Sequence, residues 1–379
     1  MARRGEIRPL TSFRWIIGLA LFVHHAVNFH MFATVGPSWK LSDLSTTQTM
    51  MHQGTGAVAF FFLLSGFTLT YNYADRFRSL DARSVCRFYV NRVGSIWPLH
   101  LLAFTLALVF VADDLVAAPL QVLTAAVPAV LLLQAWLPLG GPDTWTLGFN
   151  GPSWSLSALL FFYACFPVLV AVLGRVARTG MRWLLVLPVA WAAVIGVAAY
   201  AWRSDGYASW LFHTYPPVRL VDFVTGICAA LIFLMVARTA RGASVALPGG
   251  LVGATAIELG SVALVGAAVA GHDLVPLTVR YSAWYVLPLA VMVFTFARGG
   301  GLLSRAMGVR PLVYMGRISF AFLMLHVVVM QVATKAGLYA QDVWTAHALT
   351  FALSLALSVA AFHLWEGPAR RFVRARGGA

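Results

Sequence analysis

The sequence predicts an all-α fold, a polytopic integral membrane helical bundle of about ten transmembrane helices plus one re-entrant or interfacial segment. Three observations predict it. Hydrophobic residues make up 60% of the 379 and charged residues only 11%, with a mean hydropathy of +0.80, whereas a soluble domain carries about 25% charged residues. Apolar runs of about 17 to 22 residues, the length that crosses the hydrocarbon, recur along the whole chain. The basic residues gather in alternate connections between those runs.

The first run, 13–35, follows "MARRGEIRPL" directly. It is too long for a signal h-region and lacks a small-residue cleavage site, so it reads as a retained span. The run 54–73 comes next, and the connection before it carries few basic residues. Arg76, Arg78, Arg83, Arg87 and Arg92 then precede 96–112. Runs 154–174 and 183–201 flank Arg175, Arg178 and Arg182; runs 218–237 and 249–270 flank Arg238 and Arg241. Arg298, Arg305 and Arg310 lie between 281–297 and 312–333, and the last run, 346–365, is followed by Arg370, Arg371, Arg374 and Arg376. Arginine-rich connections face the cytoplasm, so the net charge of +14 is a topology signal rather than a nucleic-acid surface.

The alternation fails around 119–137, which has Asp113 and Asp114 before it and the 138–153 connection, without a basic residue, after it. With Pro119, Pro128 and Pro138 in or beside it, this run is expected to enter and leave by one face. Such a segment is tolerated at depth only where protein or a wet cavity covers it. Both termini then fall on the cytoplasmic side of a multi-pass protein of the cytoplasmic membrane. Eleven full spans would put "RRFVRAR" outside. Cys86, Cys165 and Cys228 are scattered, which suggests neither disulfides nor a metal site.

The first run reads "RWIIGLALFVHHAVNFH". Arg14 and His25 are eleven residues apart, about 16 Å along a helix and about 20° from superposition. Both therefore lie on one stripe, with His25 near mid-bilayer, where titratable groups usually face a protein-lined or watery cavity. His24 and His30 lie off that stripe and read as packing residues.

Seven motifs occur in order: Arg14 with His25, "FFFLLSGF" at 60–67, "NRVGSIWPLH" at 91–100, "PSWSLSALLFFYACFP" at 152–167, "PPVRLVDFVTG" at 216–226, "MGRISFAFLMLH" at 315–326 and "EGPARR" at 366–371. In this order the chain resembles the family-3 membrane acyltransferases over essentially its whole length, as a single domain over 1–379 with no appended soluble domain. The resemblance implies an enzyme that moves an acyl group from a donor, commonly an acyl-coenzyme A used as co-substrate, onto a hydroxyl, often of a sugar. It implies no permanently bound cofactor. The family's arginine and histidine fall on Arg14 and His25, its "LSGF" serine on Ser65, and its late signature on Ser319 and His326. Two positions depart from the pattern: Leu159 stands where the family usually has an acid, and Ser95 where it usually has an arginine.

An alcohol attacking a thioester must lose its proton as the bond forms, and neutral imidazole, with a pKa of about 6.5, suits that task. His25 is the expected general base. With Leu159 at the acidic position, Glu258 in the run 249–270 reaches similar depth and is the expected substitute partner for His25. Asp222, three residues after Arg219, reads as half of a local ion pair. Phosphates on the donor ask for arginine. Arg14, Arg92 and Arg317 are the expected donor ligands, whereas Arg76, Arg78 and Arg83 read as orientation signals. Ser65 is expected to line the site, although Ser-Gly pairs in membranes also permit close helix contact. Trp154 and Ser157 in "FNGPSWSLS" are expected at the acceptor side, where the aromatic residues fit sugar stacking or interfacial anchoring. The expected partners are the lipid bilayer, a small-molecule acyl donor and a hydroxylated acceptor, either a surface glycan or a glycosylated metabolite such as a macrolide. The Ala, Val, Arg and Gly bias suggests a high-GC bacterial genome. Two other readings remain open: the same fold running a rearrangement, cyclisation or hydrolysis, and a carrier or flippase using the same polar cavity.

Overall fold

The computed structural model describes residues 4–34, 54–111, 119–138, 149–239 and 246–376. Connection 35–53, Arg3, Asp113 with Asp114, residues 139–148 and Arg241 lie outside the described residues. Every regular element among the described residues is helical. This is what lipid demands of an open chain, because a helix satisfies its own backbone donors and acceptors. The helices are α1 (Arg8–Thr34), α2 (Thr55–Tyr73), α3 (Ala82–Ala107), α4 (Pro119–Val130), α5 (Trp154–Thr179), α6 (Met181–Ala201), α7 (Pro216–Thr239) and α8 (Gly250–Ala270). They continue as α9 (Leu277–Ser282), α10 (Val286–Arg298), α11 (Leu302–Met307), α12 (Arg310–Lys335), α13 (Leu338–Gln341), α14 (Val343–Ala361) and α15 (Gly367–Arg376).

The chain is a polytopic membrane protein. Among the described residues, nine stretches are long and apolar enough to cross a bilayer. Beside these, α2 has 19 residues, within the range of about 17 to 25 that spans. The run 119–137 does not form a crossing helix. Its 12-residue α4 is about 18 Å long, and the chain then turns at Leu132, a buried residue with φ of 56°. Buried His100 on α3 reaches the Ala129 carbonyl, 2.9 Å from Nε2, which fastens the end of the short helix.

Three helical boundaries differ from the hydropathy pattern. The run 96–112 is the apolar half of α3, whose first turns are the basic "ARSVCRFYVNR"; those polar residues form helix without appearing in a hydropathy window. The run 281–297 is broken between α9 and α10, and at the break the Trp284 indole donates to the Ala268 carbonyl at 2.7 Å. The run 346–365 continues past α14 through a π-helical turn, Phe362–Glu366, into α15.

Two compact units share the chain. One comprises Met1–Trp15, Val58–Cys86 and Phe161–Arg317; the other comprises Ile16–Ala57, Arg87–Leu160 and Ile318–Ala379. Packing rather than water exclusion holds helices together in lipid, and the two cores are built accordingly. In the first unit α2 and α7 touch backbone to backbone: a Cβ at Gly66 would strike the Phe223 carbonyl, and one at Gly226 the Leu63 carbonyl. The Ser-Gly pair of "LSGF" therefore serves as a helix contact. Beside it Phe62 meets Phe162 edge-on at 5.0 Å, and Phe162 stacks on Phe223 at 5.2 Å. Each such aromatic pair contributes about 0.5 to 1.5 kcal/mol. In the second unit Phe104, Ala107, Val122, Ala125, Ala129, Phe149 and Val328 form one buried cluster, which seats α4 against α3 and α12.

Candidate active site

In the second unit α1 presents Phe22 and His25, and α12 presents Phe322 and His326, each pair on one helical face. His326 is 0% exposed. Its ring stacks on Phe322 at 5.7 Å and 9° and lies 6.1 Å from Phe22. These rings fix the imidazole plane, and its Nε2 lies 2.8 Å from Nδ1 of half-buried His25.

The hydrogen-bond partners determine both tautomers. His326 Nδ1 is 3.0 Å from the Phe322 carbonyl, and a carbonyl only accepts, so Nδ1 carries the proton. Neutral His326 then has a bare Nε2, and the 2.8 Å contact requires His25 Nδ1 to donate to it. Neutral His25 is left with Nε2 unprotonated. The chain from backbone carbonyl to His326 to His25 thus holds a lone pair at the far nitrogen of His25 and orients the ring that carries it. Sequence reasoning placed His326 among the binding residues and missed this pairing. The two histidines are 301 residues apart, and no local pattern reports their contact.

The segment expected at the acceptor side is anchored to the same helix. Asn150 donates through Nδ2 to the Met324 carbonyl at 2.9 Å, and Gln134 donates to Ser153 Oγ at 3.2 Å. A short 3-10 turn, Gly151–Ser153, then leads into α5. Trp154 is only 4% exposed, so its ring packs inside the unit rather than presenting an open stacking face. Ser157 is fully buried, and its Oγ has no hydrogen-bond partner among the described residues; the same holds for Gln134 Oε1 and Asn150 Oδ1. Ser319 is buried on α12, about two turns before His326. Arg92 lies on α3 with its guanidinium 5.7 Å over the Phe88 ring.

The remaining expected residues belong to the first unit. Arg14 is half-buried on α1, and Ser65 is half-buried on α2, where its carbonyl accepts from Thr68 Oγ at 3.3 Å. Arg317 is exposed and pairs with Glu6 at 2.5 Å. The hydrogen bond from Arg317 holds the Glu6 carboxyl below the usual carboxylate range. A surface pair of this kind contributes about 0 to 1 kcal/mol.

Glu258, expected beside His25, makes its hydrogen bonds within the first unit. Its carboxylate caps α11: Oε1 accepts from Gly301 N–H at 2.9 Å and Ser304 Oγ at 2.5 Å, and Oε2 from Ser304 N–H at 3.2 Å. A Cβ at position 301 would strike Oε2, so glycine is needed there. Hydrogen bonds to charged groups contribute about 1.5 to 3 kcal/mol each. Glu258→Gln, which turns an amide donor toward these donors, is expected to lower thermal stability by about 2 kcal/mol while leaving the pH profile of turnover in place. A stable variant with an altered profile would return Glu258 to catalysis.

Arg219 and Asp222 do form the expected local pair, at 2.9 Å, but both side chains are 0% exposed. Arg219 also donates to the Tyr281 carbonyl and lies 5.4 Å over the Phe62 ring. It is a dry structural clamp between α7, α9 and α2. Among the described residues, no cluster of three or more His, Cys, Asp or Glu side chains is able to hold a metal.

A family model described as an acyltransferase domain matches residues 10–363. Acyltransferase MdmB of Streptomyces mycarofaciens is 32% identical over 346 residues, covering 86% of this chain and 79% of that protein. No solved structure matches the chain.

Proposed function

Since the chain belongs to acyltransferase family 3, we propose that it uses His25 as general base to move a short acyl group from acyl-coenzyme A to a hydroxyl of a sugar or glycosylated metabolite. The observation that carries this reading is the hydrogen-bonded pair of His25 and His326. His25 Nε2 takes the acceptor's hydroxyl proton as its oxygen bonds to the thioester carbonyl carbon. The C–S bond then breaks, and the proton passes from Nε2 to the leaving thiolate. The products are an ester and free coenzyme A. Through the step His25 Nδ1–H stays on His326 Nε2, so the transient imidazolium keeps a hydrogen-bond acceptor in a dry setting. His326 thereby orients the His25 ring and selects its tautomer, whichever residue stands at position 159.

Two further observations support the substrate classes. Gln134 Oε1, Asn150 Oδ1 and Ser157 Oγ are buried oxygens without donors among the described residues, in the unit that holds His25. Such groups cost about 1 to 3 kcal/mol each when left unsatisfied, and a hydroxyl-rich acceptor supplies the missing donors. Arg14, on the same helix as His25 and nearer its start, suits a donor phosphate. The arginine-rich connections support a reading with the donor side and both termini at the cytoplasmic face of a bacterial cytoplasmic membrane.

The test uses the protein in bilayers with acyl-labelled acetyl-coenzyme A and a panel of simple glycosides and glycosylated macrolides. A labelled ester that depends on both substrates is expected. Release of free labelled acetate alone, or a chemically altered acceptor without label, would replace transfer with hydrolysis or rearrangement.

A further inference from the structure

Asp75, just beyond α2, collects three arginines from distant parts of the first unit. Arg4, ahead of α1, approaches its Oδ2 at 2.6 Å; Arg78, in the 3-10 turn Arg76–Arg78, and Arg238, at the end of α7, each approach Oδ1 at 2.7 Å. Arg4 also donates to the Tyr71 carbonyl and lies 5.5 Å over the Tyr71 ring. One carboxylate therefore faces three guanidiniums, a local excess of two positive charges.

The bias of arginine toward the cytoplasmic face accounts for the number of cations there. It does not account for three of them, from positions 4, 78 and 238, meeting at one carboxylate. A staple between segments needs one cation, and every further guanidinium brought alongside adds like-charge repulsion. The side chains of Arg78 and Arg238 are 62% and 54% exposed. Each contacts Asp75 through one terminal nitrogen, and a guanidinium has five N–H donors in a planar fork suited to phosphate. Asp75 thus fixes the positions of the cations while the side chains of Arg78 and Arg238 stay more than half exposed.

We propose that Arg4, Arg78 and Arg238, held together by Asp75, form a binding site for a phosphate monoester, supplied by the ribose phosphate of the nucleotide acyl donor. This rests on the acyl-coenzyme A reading above and extends it to arginines whose sequence positions suggested an orientation signal alone. Phosphodiester headgroups of anionic lipids share part of this chemistry, so the test separates the two sources.

The experiment measures binding of coenzyme A and of dephospho-coenzyme A, which lacks only that monoester, to the full chain in zwitterionic nanodiscs. Wild-type protein should prefer coenzyme A about ten- to a hundredfold, the range given by one or two charge-assisted hydrogen bonds. In the Arg78→Gln/Arg238→Gln variant the preference should vanish through loss of coenzyme A affinity, with dephospho-coenzyme A bound as before. Arg238→Gln alone, at an exposed position, should show a smaller loss in the same direction if the double variant does not fold. Equal affinities in wild type, or a preference that survives the double substitution, would overturn the site while leaving the donor assignment intact. Failure of both nucleotides to bind would overturn the donor assignment itself. Equal affinities in zwitterionic nanodiscs, together with an enrichment of anionic phosphodiester lipid around the wild type that the double variant loses, would assign the cluster to headgroups instead.

Discussion

His25→Ala is expected to leave a folded, membrane-inserted protein whose turnover is lower by about 10²-fold or more. That is the usual contribution of a positioned base. The ring is half-buried on one helix, and a helix in lipid keeps its own backbone hydrogen bonds whatever side chain it carries. The loss should fall on turnover rather than on donor affinity, since Nε2 acts on the acceptor's proton and not on the nucleotide. His326→Leu should reproduce part of the effect. It leaves His25 in place but removes the acceptor that selects its tautomer, so a fraction of the molecules would carry the proton on the wrong nitrogen. A His25→Ala protein with wild-type turnover would remove the histidine pair from the chemistry. Equal losses of donor binding and turnover in that variant would indicate a structural role.

The largest expected effect on stability comes from Asp222→Ala. It leaves the Arg219 guanidinium, 0% exposed, with the Tyr281 carbonyl and the Phe62 face but no counter-charge. Breaking a buried pair at one end costs about 3 to 5 kcal/mol, whereas replacing both partners by apolar residues of similar size is often nearly neutral. The single variant should therefore express poorly or lose its thermal transition in detergent, and Arg219→Met/Asp222→Leu should recover much of the loss. Single and double variants of equal stability would show that the pair is not desolvated as described. The clamp sits beside the Gly66 and Gly226 contact of α2 with α7, so substitutions at either glycine should be costly for the same neighbourhood.

What the sequence disclosed and what it withheld follow from the physics of each signal. Spans were legible because the bilayer imposes length and hydropathy on every crossing, and the short α4 was legible because its flanks broke the charge alternation. The polar start of α3 and the helical tail beyond α14 carry no hydropathy signal, and only the structure shows them. His25 stood out because a titratable group so far along an apolar run needs a reason. Its partner did not, since hydropathy does not fix azimuth and nothing local marks His326 as the residue that faces His25. The convergence of Arg4, Arg78 and Arg238 on Asp75 was likewise hidden, because nothing in the spacing of 4, 75, 78 and 238 marks them as neighbours.

The central claim is that His25 holds an unprotonated Nε2 because His326 accepts from its Nδ1. Nitrogen NMR of the protein with ring-¹⁵N histidine in bilayers tests it most directly, with the His25 signals identified by their absence in His25→Gln. The account predicts a neutral His25 protonated at Nδ1, unprotonated at Nε2, and coupled across the hydrogen bond to His326 Nε2. A His25 protonated at Nε2, or one with no coupling to His326, would contradict it.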